Sequence, residues 1–358
     1  MLKYYAAFGT LVLSTTAVDA GGWETGRLDT GFLYQDGNYV EASYGNLDYS
    51  VNATSTTFAK HGMAKDQSRM SVLGKFQIGS FDIGLTSFGS GAIQMDGQNA
   101  TGVSVVPSAD VKLNTQALMA RYSFSDKYSI IGGVRKAKLK DSTLNTVAPA
   151  DYSIDAIDKS GMLYGLAYER PDIALKFEVL RSEKITVGLT GNVTFSGSPL
   201  PVTGTLVIPE ATSINFQTGI MENTLLMASA HNVKWKGSDV ELDVAAIPAL
   251  NQASNFSNTN SYSLGLGRRL NDATSASLTY SWEKGTNPNG ASTSPFTMSN
   301  GSETLSAGVQ HKIGSITISG GISYTKVGDV DVTHSSGLTA SYAGNSVTAV
   351  GIKFGYNF

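Results

Sequence analysis

Four histidines are the only imidazoles among 358 residues, and cysteine is absent. His61 and His334 fall in polar connecting stretches, where a solvated ring is expected. His231 and His311 fall inside alternating segments, but neither sits beside a nucleophile motif. The sequence holds no Gly-x-Ser-x-Gly elbow and no His-x-x-x-His zinc pair. Without cysteine there is no thiolate for metal or acyl chemistry and no disulfide scaffold. Arg121, Arg135 and Lys353 stand out instead, each on the small and polar face of an alternating segment. A cation held there would pair with a carboxylate, either a ligand's or the chain's own Glu178 or Glu283. The chemistry on offer is binding, with no catalytic constellation and no cofactor motif.

The elements that would position those cations are strands. Val350 to Phe358 is the clearest, with Val350, Ile352, Phe354, Tyr356 and Phe358 alternating with Gly351, Lys353, Gly355 and Asn357. Tight turns fall at 79–80, 125–127, 170–172, 222–223, 271–272 and 314–315. Longer polar stretches cover 51–66, 96–111, 141–158, 185–204, 237–259, 286–301 and 329–346. Six short turns alternating with seven long loops join fourteen strands. Short turns on one side and long loops on the other are the layout of an antiparallel transmembrane β-barrel, and an even count returns both ends to the short-turn, periplasmic side. Aromatic residues near strand ends, among them Tyr122, Phe124, Tyr128, Tyr168, Trp282 and Tyr356, suit the girdles of such a barrel.

Composition agrees. Charged residues make up 15% of the chain, 41% is apolar and 39 residues are glycine, so the chain is too apolar for disorder and too sparsely charged for an ordinary soluble surface. The net charge of −3 offers no basic field for nucleic acid. Met1-Leu2-Lys3, an apolar run from Tyr4 to Leu13, and Val18-Asp19-Ala20 have the layout of a signal peptide over 1–20. This predicts an exported chain with an N-terminal arm over 21–38 and a barrel over 39–358. Gram-negative outer membrane is the expected location, with outer-membrane lipid and lipopolysaccharide as surroundings.

The order of segments resembles the FadL family of outer-membrane transporters for long-chain fatty acids and other hydrophobic compounds. The resemblance runs through Ala120-Arg121-Tyr122, Ser125-Asp126-Lys127 and Tyr128-Ser129-Ile130. It continues through Leu180-Arg181-Ser182-Glu183, Val207-Ile208-Pro209-Glu210, Trp235 and the C-terminal Phe354-Gly355-Tyr356-Asn357-Phe358. It implies a monomeric fourteen-stranded barrel for uptake of a hydrophobic small molecule, and with no energy-coupling element visible in the sequence the transport should be passive. The arm lacks the family's Asn-Pro-Ala hatch motif and reads as a reduced plug.

The resemblance also directs Met227, Ser229, His231, Val233 and Trp235 into the lumen, where Met227, Val233 and Trp235 would line an apolar path. It makes Arg135 and Arg121 candidate partners of a fatty carboxylate. The third strand carries Phe88-Gly89-Ser90-Gly91. Glycine inside a strand often marks a bulge, and in this family a kink there opens the wall for lateral release. A general diffusion porin is the alternative, favoured by polar inward positions such as Thr317, Ser319, Ser323 and Thr325.

Overall fold

The computed structural model describes residues 22–23, 26–103, 106–147, 150–287, 289–334 and 336–358, so the expected signal peptide lies outside the described residues. Fourteen strands form the barrel: β1 (Tyr39–Ser50), β2 (Gln67–Ile78), β3 (Phe81–Asp96), β4 (Ser108–Ser123), β5 (Tyr128–Leu139), β6 (Ile157–Arg170) and β7 (Leu175–Ser182). They continue with β8 (Ala211–Met221), β9 (Thr224–Val233), β10 (Thr259–Arg269), β11 (Thr274–Glu283), β12 (Ser302–Ile313), β13 (Ile316–Val327) and β14 (Ser346–Asn357). Each pairs antiparallel with the next, and β14 pairs with β1 over twelve positions from Tyr39↔Asn357 to Ser50↔Ser346. Closure leaves no sheet edge, the condition a β-structure must meet to sit in lipid.

Alternation decides which face meets lipid. On β14, Val350, Ile352, Phe354 and Tyr356 are exposed outward. The same holds for Leu264 and Leu266 on β10 and for Met162, Tyr164 and Leu166 on β6. Such outward belts of large apolar side chains are what contact with hydrocarbon calls for. Near the short turns the aromatics stack in rows: Phe81 on Tyr122 at 4.7 Å, Tyr128 on Tyr168 at 5.1 Å and Phe124 on Tyr128 at 6.0 Å. Toward the other end, Trp282 packs between Tyr262 and Tyr280, at 5.4 and 5.7 Å.

All seven long connections lie at the end away from the termini, and several carry structure of their own. Hairpins Ser142–Val147/Ala150–Ile154 and Ile185–Phe195/Ser198–Ile208 pair with each other, and the second pairs with Val240–Asp243, extending the wall beyond the barrel. Their inner faces share one apolar core, including Tyr152, Val187, Leu206, Leu242 and Phe256, which reaches down to Trp235 and Trp23. A second core caps the opposite side, with Met63, Met95, Val332 and Tyr342 at its centre.

Candidate functional site

The arm enters the lumen beside the chain ends, where Phe358 donates its backbone N–H to Asn38 O at 3.1 Å. A 3-10 turn, Gly31–Tyr34, sets Phe32 and Leu33 against the wall at Gly84. A Cβ on Gly84 would meet Leu33 at 2.5 Å and Phe32 at 2.6 Å, so only glycine admits the arm there.

An ion network then ties the arm to the barrel. Arg121 bonds Asp82 at 3.2 Å, Glu169 at 2.5 Å, Ser129 at 3.1 Å and the Leu33 carbonyl at 3.2 Å, and its guanidinium lies 4.1 Å from the Tyr34 ring centroid. Lys75 bonds Asp82 at 2.7 Å and donates to the Gln35 carbonyl. Buried Glu178 accepts from Thr30 and Tyr34 of the arm, both at 2.6 Å, and from Asn215 of β8 at 3.0 Å.

Higher up, the arm meets an interruption in the wall. β3 pairs with β2 only as far as Phe88↔Ser71, although β2 continues to pair with β1 up to Gln67↔Leu47. Along β4 the register of β3 slips between Gly89↔Asn114 and Gly91↔Leu113, leaving Ser90 as a bulge. The residues beyond the bulge turn to other partners. Ala92 donates to Trp23 O at 3.0 Å and Gly26 donates to Ser90 O at 3.4 Å, so the arm backbone lies in the place β2 vacates. Above it, Lys65 donates to Gln94 O and Asp96 to Met63 O, closing the wall with the first long loop. A Cβ on Gly91 would stand 2.6 Å from the Trp23 ring, and one on Gly26 2.2 Å from Gly89 O. The third strand is thus irregular between Gly89 and Gly91. The glycines serve the close approach of the arm as well as the bend.

Beside this interruption lies an apolar cavity of about 50 Å³ lined by Trp23, Leu28, Phe88, Leu113, Ile208, Val233 and Trp235, with Arg135, Ser213 and His231 among its polar wall. Five of the sequence-derived candidates, Phe88, Arg135, His231, Val233 and Trp235, meet there. Met227 lies one chamber lower, in a cavity of about 250 Å³ rich in hydroxyls, including Ser229, Ser261, Ser263, Thr279 and Ser306. Ser213 and His231 border both spaces, joined by a 2.8 Å bond between Oγ and Nδ1.

Arg121 is elsewhere. Its guanidinium is consumed by Asp82, Glu169 and the arm, and it lines neither cavity. Lys353 is taken by Glu41 at 2.9 Å. Arg135 reaches the apolar cavity, but its Nη2 donates to the carbonyls of Glu183 at 2.6 Å and Pro209 at 3.2 Å, bracing the long connection between β7 and β8. Sequence reasoning missed Trp23. Its partner Trp235, at 6.1 Å between ring centroids, lies more than two hundred positions along the chain, and no local pattern links them.

No family model matches the sequence, and no curated protein does. Solved structures do share the architecture. A FadL homologue of Pseudomonas aeruginosa is 12% identical, with 92% of each chain covered and a TM-score of 0.78. The chain has the FadL-type fold. The toluene transporter TodX of Pseudomonas putida aligns at 13% identity over 95% of both chains with a TM-score of 0.65. The toluene transporter TbuX of Ralstonia pickettii aligns at 14% identity over 95% of this chain and 96% of its own, also at 0.65. In this FadL-type barrel the arm, the third-strand bulge and the apolar cavity form one contiguous unit.

Proposed function

We propose that the protein is a FadL-type outer-membrane channel for passive uptake of hydrophobic molecules, long-chain fatty acids and monoaromatics being the classes to test, with lateral release through the barrel wall. The carrying observation is the continuity of apolar surface. A packed cluster descends from the outer hairpins through Phe256, Trp235 and Trp23 to the bulge at Ser90, where β2 no longer pairs with β3. A hydrophobic molecule transferred along such a path exchanges one apolar contact for another. It leaves water once, at the loops, and gains about 25 cal/mol per Å² of apolar surface buried. Displacing the arm segment at Ser90 would deliver it sideways into lipid without crossing the hydroxyl-lined chamber below.

The solved relatives in fold support this reading, two of them being named as toluene transporters. One chain closes the barrel, so a monomer suffices, with outer-membrane lipid and lipopolysaccharide as its surroundings. Both termini would face the periplasm, at the short-turn end.

Paired uptake in porin-deficient cells tests it, with labelled long-chain fatty acid and toluene beside a small neutral sugar. Faster entry of either hydrophobic compound with no gain for sugar supports the channel. Free entry of sugar would make the chamber of about 250 Å³ part of an aqueous pore and the protein a porin.

A further inference from the structure

The outer face of the wall carries a charge pattern that a route through the lumen does not use. On β5 the inward positions Ala137 and Leu139 are buried, so Lys136, Lys138 and Lys140 share the outward face with Ile130 and Val134. Lys112 of β4, between buried Val111 and Leu113, stands beside them, and its carbonyl accepts from the Lys140 backbone N–H at 3.1 Å. Successive outward positions on a strand are about 7 Å apart, inside the screening length of physiological salt, so these ammonium groups repel one another. Asp110 offsets Lys112 at 3.0 Å and Asp158 offsets Lys136 at 2.6 Å. Lys138 and Lys140 have no acidic partner among the described residues. An anion from outside the chain would relieve the repulsion.

The strip begins where the apolar belt stops. Leu118, Val134 and Met162 form one outward row across β4, β5 and β6, all exposed. The next row toward the long loops is Gln116, Lys136 and Ser160, and Lys138 lies one row higher. The wall of β14, β1 and β2 differs. Above Tyr44 come Asn46 and Ser68, then Asp48 and Thr348, with no cation. The lysines are therefore a local feature and not a girdle around the whole barrel. From Lys136 to Lys140 the strip is about 13 Å long, with a hydrocarbon-facing wall directly below. A free phosphate would use only the charge, and a zwitterionic lipid brings its own ammonium group. A glycolipid with phosphates on a two-sugar headgroup and several acyl chains uses both parts.

We propose that this face docks the phosphorylated sugar headgroup of an outer-leaflet glycolipid. Its phosphates sit on Lys138 and Lys140, flanked by Lys136 and Lys112, and its acyl chains lie along Leu118, Val134 and Met162. The proposal rests on the outer-membrane placement of the barrel and not on its cargo.

The test titrates the full-length barrel in detergent and counts retained lipid by native mass spectrometry. The probes are mixed micelles of bisphosphorylated lipid A, of the same lipid A stripped of its phosphates, and of phosphatidylglycerol. Lys136→Gln/Lys138→Gln/Lys140→Gln removes the strip, whereas Lys284→Gln/Lys326→Gln removes two exposed cations elsewhere on the rim. Each lysine facing an anionic lipid surface strengthens binding about fivefold. Allowing for imperfect additivity, the triple variant should bind bisphosphorylated lipid A at least about thirtyfold more weakly, with the double variant unchanged. Stripped lipid A and phosphatidylglycerol should bind the unsubstituted barrel at least about tenfold more weakly, and a tenfold excess of inorganic phosphate should not displace lipid A. Independently, lipid A should slow acetylation of Lys138 and Lys140 in the unsubstituted barrel and leave Lys326 unaffected, which reads the site without any substitution. Equal affinity in the triple variant, an equal loss in the double variant, or no protection of Lys138 and Lys140 would overturn the site. Undiminished binding of stripped lipid A or phosphatidylglycerol, or displacement by inorganic phosphate, would overturn the glycolipid as its occupant. Absence of the barrel from the outer-membrane fraction of expressing cells would remove the placement itself. None of these readouts involves uptake, so they stand apart from the test of the channel.

Discussion

Replacing Arg121 with methionine should undock the arm while leaving the barrel closed. The side chain is 12% exposed and holds the arm through two contacts, a charge-assisted bond to the Leu33 carbonyl and a guanidinium over the Tyr34 ring. A hydrogen bond from a charged group contributes about 1.5–3 kcal/mol and a partly desolvated cation–π contact about 0.5–2 kcal/mol. Allowing for imperfect additivity, the arm loses about 2–4 kcal/mol, which raises its undocked population roughly 30- to 1000-fold. Asp82 keeps Lys75 at 2.7 Å, so only Glu169 loses its ion-pair partner, and the β-ladders on either side are untouched. Hydrogen–deuterium exchange resolved by peptide is the assay. The amides of Leu33 and Gln35, bonded within the 3-10 turn to Thr30 and Phe32, report on docking. Their exchange should accelerate by that factor while β4 and β5 peptides stay protected. Unchanged arm exchange would refute the latch and assign docking to Phe32 and Leu33 packing alone. Acceleration throughout the strands would show that Arg121 supports the barrel instead.

Tyr34→Phe removes one charge-assisted bond to Glu178 and should accelerate the same arm amides about tenfold or more, less than Arg121→Met. Gly89→Val with Gly91→Val places a branched side chain against the Trp23 ring. Overpacking of about 1–3 kcal/mol should lower hydrophobic uptake at least about fivefold at equal surface expression, whereas Gly132→Ala, which meets nothing within 4 Å, leaves it unchanged. Full uptake by the double valine barrel would remove the bulge from the route. His334, in the connection between β13 and β14, is buried, and desolvation lowers its pKa below the ordinary 6.5. The unfolded loop therefore binds more protons than the folded one, so the loop is fully stable above pH 6.5 and weakens as pH falls below it. Protease cleavage in 328–345 should rise between pH 7.5 and pH 5, and His334→Gln should flatten that dependence; a pH-independent cleavage rate in the original chain would contradict it.

The barrel could be read from sequence because its rules are local. Period-two alternation fixes the lipid face of each strand, and turn length fixes which end it lies at. The short turns at Gly79-Ser80, Glu222-Asn223 and Gly314-Ser315 fall between the expected strands. The bulge was legible for the same reason, since two glycines flanking Ser90 mark a local backbone irregularity. On β9, Met227, His231 and Val233 are buried.

What a cation does once inside was not legible. Arg121, Arg135 and Lys353 share one sequence signature, an isolated cation on a small-residue face. Their fates diverge according to which carboxylate or carbonyl arrives from distant strands: Glu169 and Asp82 for Arg121, Glu41 for Lys353, loop carbonyls for Arg135. Trp23 was hidden likewise, because its role depends on the path the arm takes through the lumen rather than on its neighbours in sequence. Sequence does not separate the hairpins among the long loops from the polar stretches around them, since their alternation, as in Ile185-Thr186-Val187-Gly188-Leu189, sits beyond the membrane wall and follows the same period.

The central claim is that apolar cargo follows the dry path to the wall and bypasses the hydroxyl-lined chamber. Photo-crosslinking tests it directly, using an alkyl diazirine probe added to the barrel in outer-membrane vesicles and mapping adducts by mass spectrometry. Adducts are expected at Trp23, Phe88, Leu113 and Trp235, reduced by competing toluene or fatty acid. Adducts confined to the chamber, at Ser229, Ser263, Thr279 and Ser306, would contradict it.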